Sequence, residues 1–341
     1  MRILIFLLAA THLLVPQTAI AAEIDSITPR SLELDNSISV INDIFNQRIS
    51  EGIRNANQHM EYIDDHDEFM DIDEDEYCDE ETLYTELRRA MFQSLTASWG
   101  LKGYDLDRQL RVLLEKQSYS LSLNDSVYRD IDYLEGFSLN LKELSDVVNV
   151  NGHLVGLDKI GHFFAEGWDY FEITHFDGQE VERALEWGRL QESGKFGYST
   201  TGIYSFADLA ANFNGWRFWN RVLKKQDDPL KSVVANYFLR PYVSCKIQII
   251  ASIKNRKIVR AWEANARFDF SGYIDGAWDE GNNCNSYADP FIEQKVTARI
   301  KNIDPEFNCP HDAGHCVRAR KKYSDYAKYV LHPYCLTAAA R

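Results

Sequence analysis

The fold of this chain depends most on two stretches, GLDKIGHFFAEGWDYF at residues 156–171 and SFADLAANFNGWRFWNRVL at residues 205–223. Both stretches have apolar residues at the spacing of an amphipathic helix. In each of them the polar residues with useful chemistry also fall on one narrow side. The sequence therefore predicts two helices that carry polar stripes, and it directs attention to the place where the stripes meet.

The first stripe contains Asp158, His162 and Glu166, which are spaced four residues apart and therefore stack along one side of the helix, with Lys159 beside them. A carboxylate, an imidazole and a second carboxylate at this spacing are able to share a proton or to bind a cation. The same pattern is typical of the solvated side of an ordinary amphipathic helix. The spacing alone leaves both interpretations open.

The second stripe contains Ser205, Asp208, Asn212 and Trp216. Tryptophan beside Asp and Asn indicates polar groups that face inward, and buried polar groups need hydrogen-bond partners. Ser205 followed three residues later by an acidic residue also resembles a capping box, so helix capping explains Ser205 as well as function does. We predict that the two stripes meet, with His162 bonded to Asp208 or Asn212 directly or through one water.

Two further residues lie in loops beside these helices. Tyr198 belongs to a glycine- and hydroxyl-rich loop, residues 194–202, which lacks the Gly-Lys-Ser/Thr ending of a phosphate-binding loop. His153 precedes Asp158 by five residues and is placed to reach over the start of the first helix, although a lone loop histidine is more often a surface residue. We predict that four residues have a binding role: His153, Tyr198, Ser205 and Trp216.

The segment Asp-Lys-Ile-Gly-His-Phe at residues 158–163 resembles the Asp-Lys-x-x-His-Phe motif of the VanZ-like superfamily, which includes small YfiM-like envelope proteins. In that pattern a later segment carries Ser, Asp, Asn and Gly, which here correspond to Ser205, Asp208, Asn212 and Gly215. The resemblance covers residues 150–220. It implies helical packing of the two stripes, but no substrate, because the superfamily has no settled activity. Its members are often membrane-embedded, whereas this chain has a long extension at each end.

Residues 1–22 have the features of a secretory signal peptide: Arg2, an apolar run at residues 3–10 and an Ala-x-Ala cleavage site. No later stretch is long and apolar enough for a transmembrane span. The formal net charge of −15 argues against nucleic acid as a partner and against electrostatic adsorption of the whole chain to anionic lipid. We therefore expect a periplasmic or secreted protein, and a partner that is an envelope lipid or a cell-wall component.

The six cysteines of an exported chain predict up to three disulfides. Cys309 and Cys316 are the expected local pair. An alternative is a zinc site that includes His311 and His315. Four ligands within eight residues would strain one tetrahedral site, and export favours oxidation, so we predict the disulfide and no metal site.

The predicted fold is mainly α: a helical globular bundle with long irregular loops. Residues 23–81 hold an N-terminal helix and an acidic segment, and residues 82–228 form the helical core with the Asp-Lys-x-x-His motif. Residues 229–341 form an aromatic- and cysteine-rich extension that packs on this core. Hydrophobic content of 45% is consistent with a packed globular protein.

Two functions fit these observations. The first is a non-catalytic envelope protein with a structural or binding role, in which the polar cluster is a buried network. The second is a hydrolase-type enzyme with His162 as general acid/base, Asp158 or Glu166 to orient it, and Lys159 to stabilise negative charge. In the second case Asp208 and Asn212 complete the catalytic set. The sequence predicts no particular cofactor or substrate.

Overall fold

The computed structural model describes residues 23–63, 78–92, 104–141, 144–251 and 256–337 of the chain. Within these ranges the protein is mainly α-helical, which confirms the predicted fold class. None of the described helices combines the length and apolar character needed to cross a bilayer. The helices are α1 (Ile38–Ile63), α2 (Glu80–Met91), α3 (Tyr104–Leu113), α4 (Phe137–Leu141), α5 (Leu157–Phe171), α6 (Val181–Gln191), α7 (Phe206–Leu223), α8 (Val233–Phe238), α9 (Pro290–Ile303), α10 (His315–Tyr323), α11 (Ala327–Val330) and α12 (Pro333–Thr337).

Short strands connect the helices. The described strands are β1 (Ser118–Tyr119), β2 (Val147–Val150), β3 (His153–Gly156), β4 (Ile203–Tyr204), β5 (Val243–Ala251), β6 (Arg256–Ala264) and β7 (Ser286–Tyr287). They form three antiparallel sheets, β1-β2-β3, β4-β7 and β5-β6. Asn151 and Gly152 make the turn between β2 and β3 with positive φ angles. This hairpin leads directly into α5, because Gly156 both ends β3 and caps the helix.

The central pair of helices is formed by α5 and α7, the two predicted stretches. Their backbones touch at Gly167 and Gly215: a Cβ added at Gly167 would lie 2.6 Å from Gly215 Cα. A Cβ added at Gly215 would lie 1.8 Å from the carbonyl oxygen of Phe163. The crossing therefore requires glycine at both positions. This close approach sets the distance across which the polar side chains of the two helices meet.

An aromatic core surrounds this pair. Phe163, fully buried on α5, contacts the rings of Phe270 and Trp278 from the C-terminal part of the chain. On the other side of α5, the indole of Trp219 donates a 2.9 Å hydrogen bond to the carbonyl oxygen of Phe164. Residues from the stretch 229–341 therefore complete the core around α5, rather than forming a core of their own.

The predicted disulfide between Cys309 and Cys316 is wrong. The bridges are Cys78–Cys245, Cys284–Cys309 and Cys316–Cys335. The segment after Cys309 is bonded to the loop that holds Cys284, since the amide of residue 311 donates to the carbonyl of residue 281 at 2.8 Å. Cys316 instead lies in the first turn of α10, which packs on α12. Because the sulfurs of Cys309 and Cys316 are both oxidised, the alternative zinc site loses its two cysteine ligands.

Candidate functional site

Lys159 lies at the centre of a polar cluster between α5 and α7. Its side chain is 0% exposed, and its Nζ lies 2.9 Å from Asp158 Oδ2, 2.6 Å from Asp208 Oδ1 and 2.7 Å from Glu280 Oε1. An ammonium group has three N–H donors, so three carboxylates match its capacity. A buried charge is stable only where such partners replace the lost water. We call this set, Lys159 with Asp158, Asp208 and Glu280, the Lys159 network.

His162 lies one turn after the start of the network and connects it to Asn212. The side-chain amide of Asn212 makes matching hydrogen bonds in one orientation. In it, Nδ2 donates to the carbonyl oxygen of Asp208 at 3.0 Å and to His162 Nδ1 at 3.2 Å. In that arrangement His162 Nε2 carries the proton, and it lies 3.2 Å from Asp208 Oδ2. The two polar stripes therefore meet, and His162 contacts both Asp208 and Asn212, as the sequence predicts.

The pKa of His162 lies below its ordinary value. Burial is the largest cause, and the nearby charge of Lys159 adds to it, while Asp208 acts in the opposite direction. The imidazole is therefore neutral at pH 7. Both of its nitrogens have protein partners, Asp208 at one and Asn212 at the other. A neutral imidazole oriented by a carboxylate is the arrangement of a general base, but here neither nitrogen points to a substrate position.

The two aspartates of the network have opposite pKa shifts. Burial raises the pKa of Asp158 to about 8, although the charge of Lys159 opposes this. Burial also acts on Asp208, but the charge of His162 in its protonated form and the charge of Lys159 outweigh it and hold the pKa of Asp208 below the ordinary value. The carboxylate of Asp208 is thus the permanent negative partner of Lys159. Burial lowers the pKa of Lys159, but the surrounding carboxylates more than compensate, so its ammonium stays charged.

Glu280 reaches the network from the C-terminal part of the chain. Its Oε1 accepts from Ser205 Oγ at 3.2 Å as well as lying beside Lys159, and its Oε2 accepts from Asn285 Nδ2 at 2.8 Å. Tyr128 adds a longer hydrogen bond of 3.4 Å to Oε2. Burial raises the pKa of Glu280, against the attraction of Lys159. This residue therefore binds the loop that follows Trp278 to the central pair of helices.

Two more buried glutamates, Glu192 and Glu23, lie around the network. Glu192 Oε1 accepts from the backbone amide of Ser205 at 2.9 Å, at the start of α7. Glu23 lies beside Lys159 and Glu280, and its carbonyl oxygen accepts from the amide of Ser145 at 2.8 Å. Burial raises the pKa of both carboxyl groups. Protonation of some of these acids relieves the excess of negative charge around one lysine.

Glu166 forms the outer edge of the cluster. Its side chain is 11% exposed, and its Oε2 lies 3.8 Å from His162 Nδ1. It follows His162 by one helical turn, as the stripe pattern predicts. The cluster thus approaches solvent on the side of Glu166, whereas the side of Lys159 is closed.

The predicted residues divide into those that join the cluster and those that do not. The joined residues include Ser205, which caps α7 through a 3.3 Å bond from the Asp208 amide and donates to Glu280. Trp216 is buried elsewhere, with its indole donating to Thr174 Oγ1 at 2.9 Å. His153 lies on β3, beside Gly276. The residues brought together are Asp158, Lys159, His162, Glu166, Ser205, Asp208 and Asn212.

Tyr198 lines a separate cavity of about 610 Å³ on the surface next to α6. Its ring lies 5.2 Å from that of Tyr204, which in turn lies 4.8 Å from Phe206. These rings make one wall, and Arg189 and Glu186 of α6 provide charged groups beside them. Tyr204 and Phe206 directly flank Ser205, so the back of this wall adjoins the Lys159 network. We call this space the Tyr198 cavity.

Sequence reasoning missed Glu280, Glu192 and Glu23 as members of the cluster. Glu280 belongs to a polar loop, residues 279–285, that lies among buried aromatic residues, and this context is the signal that could have identified it. Glu192 follows Gly188 by one helical turn and lies on the side of α6 that carries the buried residues Ala184, Leu185 and Gly188, and this spacing is the signal that could have identified it. Glu23 has no local signal, because its burial depends on distant parts of the chain.

The described residues include no group of three or more His, Cys, Asp or Glu side chains in an arrangement that could hold a metal ion. The carboxylates of the network converge on the Lys159 ammonium instead, and this cation takes the place that a metal ion would occupy. The chemistry of the cluster is therefore that of a charge network with one neutral histidine.

In comparisons with known proteins, no family model, no curated protein and no solved structure matches the chain. The resemblance of residues 158–163 and 205–215 to the VanZ-like pattern consequently stays a prediction from short motifs.

Proposed function

We propose that the chain is an exported cell-envelope protein with a binding role, and that the Lys159 network is a structural element of its core. One observation carries this proposal: the Lys159 ammonium is fully buried, and carboxyl oxygens of Asp158, Asp208 and Glu280 lie within 2.9 Å of it. A catalytic lysine needs at least one direction toward a substrate. The network instead joins α5, α7 and the loop of Glu280.

Export is part of the proposal and rests on two observations. The first 22 residues have the pattern of a signal peptide. The three disulfides are typical of an oxidising compartment, such as the periplasm or the extracellular space. An oxidising compartment also agrees with a ligand from the envelope.

The binding role is assigned to the Tyr198 cavity. Aromatic faces flanked by an arginine and a glutamate are suited to a sugar ring, because the ring stacks on the aromatic face and its hydroxyl groups bond to the charged groups. The volume of about 610 Å³ is in the range of small-ligand sites. We therefore propose a saccharide from the cell wall as the ligand.

Calorimetric titration with soluble peptidoglycan fragments tests this role. The proposal expects saturable binding, and a loss of roughly tenfold or more in affinity for Arg189→Ala, because one charged hydrogen bond contributes about 1.5–3 kcal/mol. Arg267→Ala is the control, since Arg267 is an exposed arginine that pairs with Asp43 and neither lines the cavity nor contacts a residue that does. Absence of binding, or equal losses in both variants, would contradict the binding role.

A hydrolase that uses His162 as general acid/base, acting on an envelope lipid or a cell-wall substrate, is the second candidate. The observation in its favour is the neutral His162, whose Nε2–H faces the carboxylate of Asp208 at 3.2 Å, beside the slightly exposed Glu166. His162→Gln separates the two functions. For the enzyme, turnover is lost with little change in melting temperature. For the structural network, the melting temperature falls because Asp208 and Asn212 lose the imidazole that lies between them.

A further inference from the structure

The short helix α8 presents an apolar surface to solvent, because four of its six residues are exposed large apolar side chains. The exposed fractions are 85% for Val233, 68% for Val234, 79% for Tyr237 and 73% for Phe238. At 100° per residue these four positions occupy one side of the helix. We call this side the α8 face. An apolar patch of this kind on a monomer commonly marks an interaction site.

Hydrogen bonds attach the opposite side of α8 to the rest of the protein. Asn236, on the opposite side of the helix, is buried; its Nδ2 donates to the Asp228 carbonyl at 3.0 Å and its Oδ1 accepts from the Asp228 amide at 2.9 Å. Lys224 donates to the carbonyl of Asn236 at 2.7 Å, and Ser232 caps the helix. The polar side is thus bonded to the protein, and the apolar side remains turned outward. Exposure of the four side chains is therefore a property of the fold.

The surroundings of the α8 face are basic, although the whole chain carries a net charge of −15. Lys231 precedes the helix and Arg240 follows it. Of the two neighbouring aspartates, Asp228 is buried and paired with Arg217, at 2.7 and 2.8 Å, and Asp227 is exposed, so that one exposed acid stands against the two basic residues. An apolar helix side with a basic residue at each end of the helix is complementary to a surface that is apolar inside and anionic at its boundary.

We propose that the α8 face docks on the surface of an anionic lipid bilayer. Valine, tyrosine and phenylalanine are residues that enter the boundary between headgroups and acyl chains, and Lys231 and Arg240 would bind the phosphate groups around them. A second copy of the chain fits less well, because a two-fold contact through this face would place the same basic residues opposite each other. The four exposed side chains also project outward from the surface, and a deformable bilayer can surround projecting side chains.

Flotation of the purified full chain with vesicles tests this proposal. With vesicles of equal parts phosphatidylglycerol and phosphatidylcholine we expect the protein to float with the lipid, and with phosphatidylcholine alone much less. Tyr237→Ser combined with Phe238→Ser should lower the partition coefficient by roughly tenfold or more. Lys231→Glu combined with Arg240→Glu should remove the preference for the anionic vesicles, and added salt should weaken binding.

Phe291→Ser is the matched control, because Phe291 is a similarly exposed aromatic residue, at 72%, outside the α8 face. It should bind as the wild type does. Since all substituted side chains face solvent, unchanged melting temperatures verify folding. Binding that persists in the Tyr237 and Phe238 variant would overturn the proposal. So would a concentration-dependent dimer that this variant abolishes, since the face would then belong to a second copy.

Discussion

The ammonium of Lys159 lies 2.7 Å from a carboxylate oxygen of Glu280, and both side chains are buried. The two residues come from distant parts of the chain, α5 and the loop after Trp278. Their contact, together with those of Asp158 and Asp208, makes one lysine the common partner of three carboxylates. Since removal of one member of a buried ion pair leaves uncompensated charge, this relationship links the stability of the core to a single side chain.

Gly215→Ala should destabilise the protein by about 1–3 kcal/mol or more. The added Cβ would lie 1.8 Å from the carbonyl oxygen of Phe163, so that α5 and α7 must move apart. Gly272→Ala is the control, because a Cβ there meets no atom within 4 Å, and its effect should stay within about 0.5 kcal/mol. Urea denaturation measures both. Equal stability of the two variants would contradict the close crossing of the helices.

Asp158→Asn should change how stability depends on pH. Asp158 has its pKa raised to about 8 in the folded protein from an ordinary value of 3.8, so the folded state binds the proton more tightly. This contribution is complete below pH 3.8 and is lost as the pH rises through 8. Between about pH 6.5 and pH 8 the wild type should lose more stability than Asp158→Asn, because the histidines and the other titrating groups are the same in both proteins. Parallel denaturation curves at both pH values would contradict this assignment.

Peptide mapping without reduction should identify the disulfides Cys78–Cys245, Cys284–Cys309 and Cys316–Cys335. Replacing Cys316 and Cys335 together by serine should lower the free energy of unfolding by about 2–4 kcal/mol, as is typical when a native bridge is removed. Mass spectrometry of the digested protein reads the connectivity directly. A fragment in which Cys309 is joined to Cys316 would contradict the fold of the C-terminal part.

N-terminal sequencing of native protein should find a start at Ala22 or Glu23. The Ala-x-Ala site at residues 19–21 is the reason for this expectation. Glu23 itself is buried beside Lys159, so the mature chain would begin at the edge of the network. Retention of Met1 in the native protein would defeat the proposal of export, and the argument for an oxidising compartment would then rest on the disulfides alone.

The helical parts of the site could be predicted from the sequence because their signal is local. The apolar spacing of residues 156–171 and 205–223 corresponds to α5 (Leu157–Phe171) and α7 (Phe206–Leu223) within one residue at each start. The contact of His162 with Asp208 and Asn212 also followed from the cost of burying an Asp and an Asn without partners.

The rest of the site depends on long-range packing that periodicity does not record. Lys159 is predicted as a neighbour of the stripe, but it becomes its centre because Glu280 reaches it from a loop fixed by the Cys284–Cys309 bridge. The wrong pairing of Cys309 has the same origin, since proximity in sequence does not decide which cysteine the chain brings close. Trp216 shares a helix side with Asn212, yet its indole donates a hydrogen bond to Thr174 in the turn after α5.

The free energy of unfolding of Lys159→Met at pH 7 tests whether the Lys159 network stabilises the core. If the network is structural, the variant should lose about 3–5 kcal/mol, because the buried carboxylate of Asp208 loses its ammonium partner. Lys295→Met is the matched control: this lysine pairs with Asp132 and Glu135 at the surface, and its loss should amount to about 1 kcal/mol or less. A Lys159→Met protein as stable as this control would contradict the structural role of the network.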